Sequence, residues 1–509
     1  MRLSKDISDW NELRRYLTRT TLQCKRIGIE LLRHPQNSPW RATALIFFAA
    51  ALWLAISEID FVPGEQPANA DCERDIGAEM GRHGHLEELL WSGCLIAHDT
   101  QKHFARYAVA SGIGKPVLEP RPCLSCHDGT QAPTFARMWT LFPRFNPAKR
   151  RVEDFAQAIQ DEIAKRYGGT IPVRSDTEVS ELYVYAFTKA KQEKLTFALD
   201  DPAAPAATDA ELEQWQITPA CRERFERKGR PRGVNAPWIA VGCNLVTDTY
   251  NRMPAPFRIW RTDMKCDNCH RQAGNLTYAG DIGQGAVLLP IMMTPLNKPI
   301  RFDRRVLMCF ARSLNWFDMG RDASALTYIY MYAAWLAQKD QRIIGELKEG
   351  RGIPMIYDTD GFGSSVLAGE RVYRQHCIRC HGPNAWGRQG PVYNGIEPPP
   401  IAGPYAFTDL ATTAARARLA GFIYNNMPPG ATHDQPILSV QESLDVGIYL
   451  EHLGRPANFV EQNRIQQFLH YLWLKGLYHG VYGLVRFFSG DQHEDVHETV
   501  PPEDQSARI

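Results

Sequence analysis

CDNCHRQAGNL, at Cys266–Leu276, opens with the pattern C-x-x-C-H. The pattern recurs in CLSCH (Cys123, Cys126, His127) and CIRCH (Cys377, Cys380, His381). Two thiols at this spacing with a histidine directly after them attach c-type haem. The thiols form thioethers to the porphyrin vinyls, and the histidine reaches the iron as its proximal ligand. A zinc site or a redox C-x-x-C is the alternative for one copy. Three copies in a chain of 509 residues with 12 cysteines read instead as three covalently attached haem c groups.

Haem c is attached on the outer side of a membrane, and the N-terminus agrees. An uncharged apolar run from Ala42 to Ser57, extended to Val62, gives roughly the ~20 residues a bilayer needs. Arg14, Arg15, Arg19, Lys25, Arg26, Arg33 and Arg41 precede it, and Glu58, Asp60 and Glu65 follow. That asymmetry puts the N-terminus in the cytoplasm and the haem motifs in the periplasm, with the inner membrane as the location. The alternative is a signal peptide cleaved at ANAD (Ala68–Asp71). Because the apolar run ends well before that point, the segment reads as a retained anchor. Elsewhere 44% hydrophobic and 23% charged residues suit globular protein. With a net charge of +1 and no sustained basic face, nucleic acid is not an expected partner.

The other cysteines expose a duplication. Cys72 and Cys94 have the same spacing as Cys221 and Cys243, and GCLIAHDT in the first copy matches GCNLVTDT in the second. Each pair precedes a haem motif. In an oxidising compartment such pairs read as disulfides, with four buried thiols as the alternative. Cys24 lies before the anchor, which leaves Cys309 as the odd thiol, a candidate reactive residue. Each repeat also closes on a Tyr-rich helix, SELYVYAFTKA (Ser180–Ala190) and LTYIYMYAAWLA (Leu326–Ala337), read as core packing. Between them runs the linker LDDPAAPAATDAE.

From Phe362 onward the order changes to a short helix, CIRCH, a Pro-rich loop, a helix, NNMPPG and a last helix, as in a small single-haem cytochrome c. Met427 in NNMPPG stands where a thioether can close the iron held by His381, and His/Met ligation suits an electron acceptor. The expected fold is mainly α, with tandem cytochrome c-type haem domains behind an N-terminal transmembrane helix. The expected segments are 1–41 cytoplasmic, 42–62 anchor, 71–192 and 218–340 haem c domains, 360–456 a class I-like cytochrome c domain, and 457–509 an aromatic amphipathic helix with an acidic tail.

CDNCHRQAGNL, RRVLMCFARSLN and DASALTYIYMYAAWLA together resemble the tetrathionate-forming thiosulfate dehydrogenase family of c-type cytochromes, which is related to the haem subunit that loads thiosulfate onto a sulfur carrier. The resemblance covers about residues 218–459, and the CFARS stretch is its most specific part. It implies that Cys309 is the distal ligand of the iron held by His270. It also implies that Arg312 and Arg305, with Arg301 and Arg304 nearby, face an oxyanion substrate, since guanidinium groups bind oxyanions bidentately. The implied activity is oxidation of thiosulfate to tetrathionate or the reverse. Electrons would pass through the His381/Met427 haem to a soluble cytochrome c or a membrane oxidase. Trp316 departs from the family pattern, which has glycine there. The haem of the first repeat is an addition to the commoner two-haem layout, and no cysteine answers Cys309 in that repeat. Aligning the basic residues sets Phe155 against Cys309, and aligning the closing helices sets Glu162 there. Met138 and His98 are the other candidates for the distal ligand of the iron held by His127. A non-catalytic multihaem relay is the rival reading, and loading of thiosulfate onto a carrier protein is a third.

Overall fold

The computed structural model describes residues 67–77, 85–104, 121–130, 132–167, 177–253, 264–293, 298–314, 324–357, 363–387 and 397–456. The apolar segment 42–62, the tail 457–509, Cys24 and Trp316 lie outside them. Among the described residues no helix is long and apolar enough to cross a membrane.

Helices dominate, and they repeat. The first repeat contains α1 (Pro67–Ile76), α2 (His85–His98), α3 (Phe135–Thr140), the hairpin β1 (Arg144–Asn146) and β2 (Arg151–Glu153), α4 (Phe155–Tyr167) and α5 (Thr177–Gln192). The second contains α6 (Pro219–Lys228), α7 (Ala236–Thr247), α8 (Ile282–Leu288), the hairpin β3 (Ile291–Met293) and β4 (Lys298–Ile300), α9 (Phe302–Arg312) and α10 (Ser324–Lys339). Both hairpins are antiparallel, pairing Arg144 with Glu153 and Ile291 with Ile300. The third part has α11 (Val366–His376), α12 (Arg416–Asn426) and α13 (Val440–His452) around its own small core.

One device recurs in all three parts. A methyl group on Gly93 would stand 2.2 Å from the Glu181 carbonyl oxygen, one on Gly242 2.0 Å from that of Tyr328, and one on Gly369 1.9 Å from that of Asp445. In each case a glycine lets the opening helix cross the closing helix in backbone contact, closer than any side chain permits. The disulfides Cys72–Cys94 and Cys221–Cys243 then tie α1 to α2 and α6 to α7, and all four sulfurs are fully buried.

The two repeats share one continuous core. Tyr183 of α5 and Tyr330 of α10 occupy matching places in their helices and are buried against each other, while the buried Tyr185 and Tyr332 serve their own repeats, donating to Asp75 and to the Ala273 carbonyl. Across the same seam Phe145 stacks on Trp238 at 5.0 Å, and the Phe145 N–H donates to Asn235 Oδ1 at 2.9 Å. The linker is packed too. Gln338 Oε1 accepts the N–H groups of Leu199 and Asp200, and the Asp200 carboxylate takes Trp335 Nε1 and Lys339.

The chain after α10 folds back under the second haem motif. There the fully buried Asp281 carboxylate receives both arms of Arg342 at 2.6 Å, and Arg351 at 3.0 Å. Asp340 joins through Arg342, Lys228 and Asn275. Burial alone would raise the Asp340 pKa, but the donors from Lys228, Asn275 and Arg342 bring it from 3.8 to about 2. A carboxyl held low in the fold adds stability above its unfolded value, and this is lost as pH falls through the folded one. We therefore expect a loss of stability between about pH 4 and about pH 2 that Asp340→Asn removes from the acid-unfolding curve. Arg342→Met, which leaves two carboxylates without their main partner, should cost about 3–5 kcal/mol in denaturant unfolding.

Candidate functional site

All three motif histidines are held alike. His127 Nδ1 bonds the Pro133 carbonyl at 2.9 Å, His381 Nδ1 bonds the Pro399 carbonyl at 2.9 Å, and His270 Nδ1 bonds the Gly280 carbonyl. A carbonyl only accepts, so Nδ1 carries the proton and Nε2 is left as a lone-pair donor for a metal. Burial also lowers the pKa of His270 and His381, which keeps both rings neutral.

The paired thiols do not suit a redox role. Burial pushes Cys123 up to about 11, and Cys266, Cys269 and Cys377 up to about 12. A reactive C-x-x-C needs the opposite shift, so these four thiols lack the depressed pKa of a redox pair. In both repeats a threonine presets the first thiol. The Cys123 N–H donates to Thr100 Oγ1 at 2.8 Å, and the Cys266 N–H donates to Thr249 Oγ1 at 3.1 Å. These are the closing threonines of the repeated HDT and TDT triplets. The repetition was visible in the sequence, but its use was not.

Past His270 the backbone turns left-handed at Gln272 and Ala273, with φ of 55° and 54°. Two consecutive non-glycine residues there are strained and persist only because their surroundings fix them. The Asp267 carboxylate, inside the haem motif, accepts the Ala273 N–H at 2.6 Å. Tyr332 Oη and Arg224 donate to the Ala273 and Gln272 carbonyls, each at 2.7 Å. The turn carries the chain to Gly280, whose carbonyl holds His270.

Cys309 lies in the penultimate turn of α9, partly buried, and its carbonyl accepts the N–H groups of Ser313 and Leu314. It is near enough to add to the burial-driven rise of both Cys266 and Cys269. Arg305 lies one turn earlier, adds to the lowering of the His270 pKa, and donates to Thr412 Oγ1 at 2.8 Å, so it spans the seam to the third part. The Arg312 carbonyl accepts the Thr408 N–H at 2.8 Å on the same seam, and its side chain is partly buried. Arg301 has a different role. It is 5% exposed, paired with Asp303 at 3.1 Å, and stands over the Tyr183 ring at 5.5 Å, so it belongs to the core between the repeats and not to an anion site.

The third part forms an open, mostly apolar cleft lined by Cys377, Cys380, His381, Ile423, Met427 and Leu450. Met427 thus shares one cavity with the motif it was expected to serve. Asn268 and Arg271 of the second motif line the same cleft, and Arg271 donates to the Asn426 carbonyl at 2.7 Å. Residues flanking His270 and Met427 are therefore in direct contact. Arg271 was missed in the sequence because nothing local in CDNCHR points to a partner so far along the chain.

In the first repeat, His98 lies against the Cys72–Cys94 disulfide, where Thr247 lies against Cys221 in the second. Met138, on α3, is partly buried against the shared core.

These features define a mainly helical c-type cytochrome, with donor sets that fit covalently held haem. The family described as cytochrome C oxidase, cbb3-type, subunit III matches residues 364–437. The thiosulfate dehydrogenase of Thiomonas intermedia (strain K12) is 29% identical over 196 residues, which are 38% of this chain and 60% of that protein. That of Allochromatium vinosum is 29% identical over 234 residues, 44% of this chain and 80% of that protein. That of Psychrobacter arcticus is 26% identical over 218 residues, 43% and 63% of the two chains. Among solved structures, "Thiosulfate dehydrogenase (TsdBA)" from Marichromatium purpuratum, in its "as isolated" form, covers 70% of each chain at 21% identity with a TM-score of 0.40. The chain is thus similar to thiosulfate dehydrogenases over about two fifths of its length, and it spans 60% of the length of the first of them.

Thr249→Val keeps the shape of that side chain but leaves the buried Cys266 N–H without an acceptor. It should destabilise the protein by about 1–3 kcal/mol. An unchanged denaturation midpoint would mean that the threonine does not hold the motif.

Proposed function

We propose that this chain oxidises thiosulfate to tetrathionate, or runs the reverse, as a membrane-anchored cytochrome c with three haems. The carrying observation is that Cys309, on a helix entered through arginines, is close enough to both thiols of the second haem motif to act on them electrostatically. The sequence relatives named above support the substrate.

Bound haem supplies the electron sink near Cys309 and the electron exit near Met427. His270 and His381 would hold the iron through Nε2, and Cys309 and Met427 would offer sulfur to it. Arg305 and Arg312 hold the substrate. Two thiosulfate dianions repel each other, and guanidinium charges fixed in advance offset that repulsion where the two meet. Cys309 Sγ is the group against which the sulfane sulfur of one thiosulfate is placed. A new sulfur–sulfur bond joins it to the second, giving one tetrathionate dianion and two electrons. The contact of Arg271 with the Asn426 carbonyl keeps the two sites in register for electron exit. The acceptor is a soluble cytochrome c or a membrane oxidase. Residues 42–62 anchor the chain in the inner membrane with the haem domains in the periplasm.

A non-catalytic relay uses the same Arg271 seam, but it gives no role to a lone thiol beside a haem motif.

The mature full chain should carry three haems by pyridine haemochrome, and two or fewer would contradict the count. Cys309→Met should keep all three, because the thioethers belong to other cysteines. It should raise the potential of one haem, since a neutral thioether stabilises ferric iron less than a thiolate does. Thiosulfate turnover should be abolished while small reductants still reduce the remaining haems. An unchanged low-spin spectrum with full activity would make Cys309 a core thiol and remove the main support for the enzyme.

A further inference from the structure

The two alignments that left the first repeat open in the sequence can now be told apart. Pro143 directly precedes β1 just as Pro290 directly precedes β3. Hairpin strand β2 and helix α4 follow it at the spacing at which β4 and α9 follow theirs, so Phe155 matches Phe302 as the first residue of its helix. Tyr183 and Tyr330, which meet at the seam, fall at that same offset. Carried along the helix, the offset sets Glu162 on α4 where Cys309 stands on α9. The basic-residue alignment, which put Phe155 there, is excluded, because Phe155 is the buried start of the helix.

We propose that Glu162 is the distal residue of the haem site built on His127, its carboxylate taking the place that Cys309 sulfur takes in the second repeat. This rests on the three-haem reading above. Two further observations support it. Burial raises the Cys123 thiol to about 11, and after the Thr100 hydrogen bond the charges acting on it are Arg166, which opposes the rise, and Glu162 and Cys126, which add to it. Glu162 therefore lies near the first motif as Cys309 lies near the second. The carboxylate is also held with one oxygen spare. Arg166 Nε and Nη2 both meet Oε1 at 2.7 Å, whereas the nearest cation to Oε2 is Lys165, at 4.0 Å.

Ligand chemistry then separates the two repeats. A carboxylate is a hard, weak-field donor compared with a thiolate. It also has no sulfur to receive a sulfane sulfur. The first repeat is thus a copy whose thiosulfate site has been removed, and its iron is held by an exchangeable distal group instead of a thiolate.

The test is ferric EPR and near-infrared magnetic circular dichroism on the full holoprotein, with haem counted in each sample. The wild type should show a high-spin component from one haem in three. Glu162→Gln should change that component alone, and Glu162→Cys should convert it to a second low-spin thiolate signal like that of Cys309. Arg166→Gln breaks the ion pair but keeps the carboxylate, so it should leave the component in place. Three haems with no spectral response to Glu162→Gln or Glu162→Cys would overturn the assignment alone. So would an Arg166→Gln effect as large as that of Glu162→Gln, since the role would then be structural. A wild-type preparation with only two haems would overturn both this assignment and the haem count it rests on.

Discussion

The hydrogen bond from His270 Nδ1 to the Gly280 carbonyl is the contact on which the second haem site depends. It fixes the tautomer, the ring orientation and the direction of Nε2 at once. A glycine carbonyl cannot hold a histidine unless something holds the glycine. Here the next residue, Asp281, is pinned by Arg342 and Arg351, and the Asp281 N–H donates to the Arg351 carbonyl. The two arginines come from the chain after α10, so the second repeat is completed by residues beyond its last helix. Between His270 and Gly280 the left-handed pair Gln272–Ala273 is held by Asp267, Arg224 and Tyr332. The segment around CDNCH is in this way held by contacts from α6, from α10 and from the chain after α10.

The other two sites use the same bond with simpler supports. His127 and His381 each bond a proline carbonyl, from Pro133 and Pro399. Proline fixes its own φ, which removes one of the two rotations that aim its carbonyl. The heavier support falls on the repeat that also carries Cys309 and the seam to the third part. Under the proposed function this site would hold a substrate as well as a cofactor, and it would gain from such preorganisation.

Much of this could be read from the sequence because covalent chemistry leaves short, local marks. The C-x-x-C-H motifs, the equally spaced cysteine pairs and the odd Cys309 are each contained within a few residues or one fixed spacing. The Tyr-rich helices were legible as core. What could not be read was set by contacts between distant segments. Arg301 looks like one more member of a basic stretch, yet it is buried under Tyr183 of the other repeat. The repeats read as two domains, yet they share one core through Tyr183 and Tyr330. Arg271 meets Asn426 across a separation that no local pattern signals. The equivalence of Glu162 with Cys309 needed the hairpins, because the two repeats differ in length between disulfide and haem motif.

The central claim is that a lone cysteine near a haem motif, on a helix that also carries Arg305 and Arg312, makes this cytochrome an enzyme and not a wire. The direct measurement is product analysis by ion chromatography. Purified full-length holoprotein is supplied with thiosulfate and an excess of a ferric cytochrome c or an inorganic electron acceptor. The account predicts one tetrathionate formed per two thiosulfates consumed and two electrons accepted, or the reverse stoichiometry from tetrathionate with a reductant. Electron transfer between added donors and acceptors with no sulfur–sulfur bond formed or broken would contradict it.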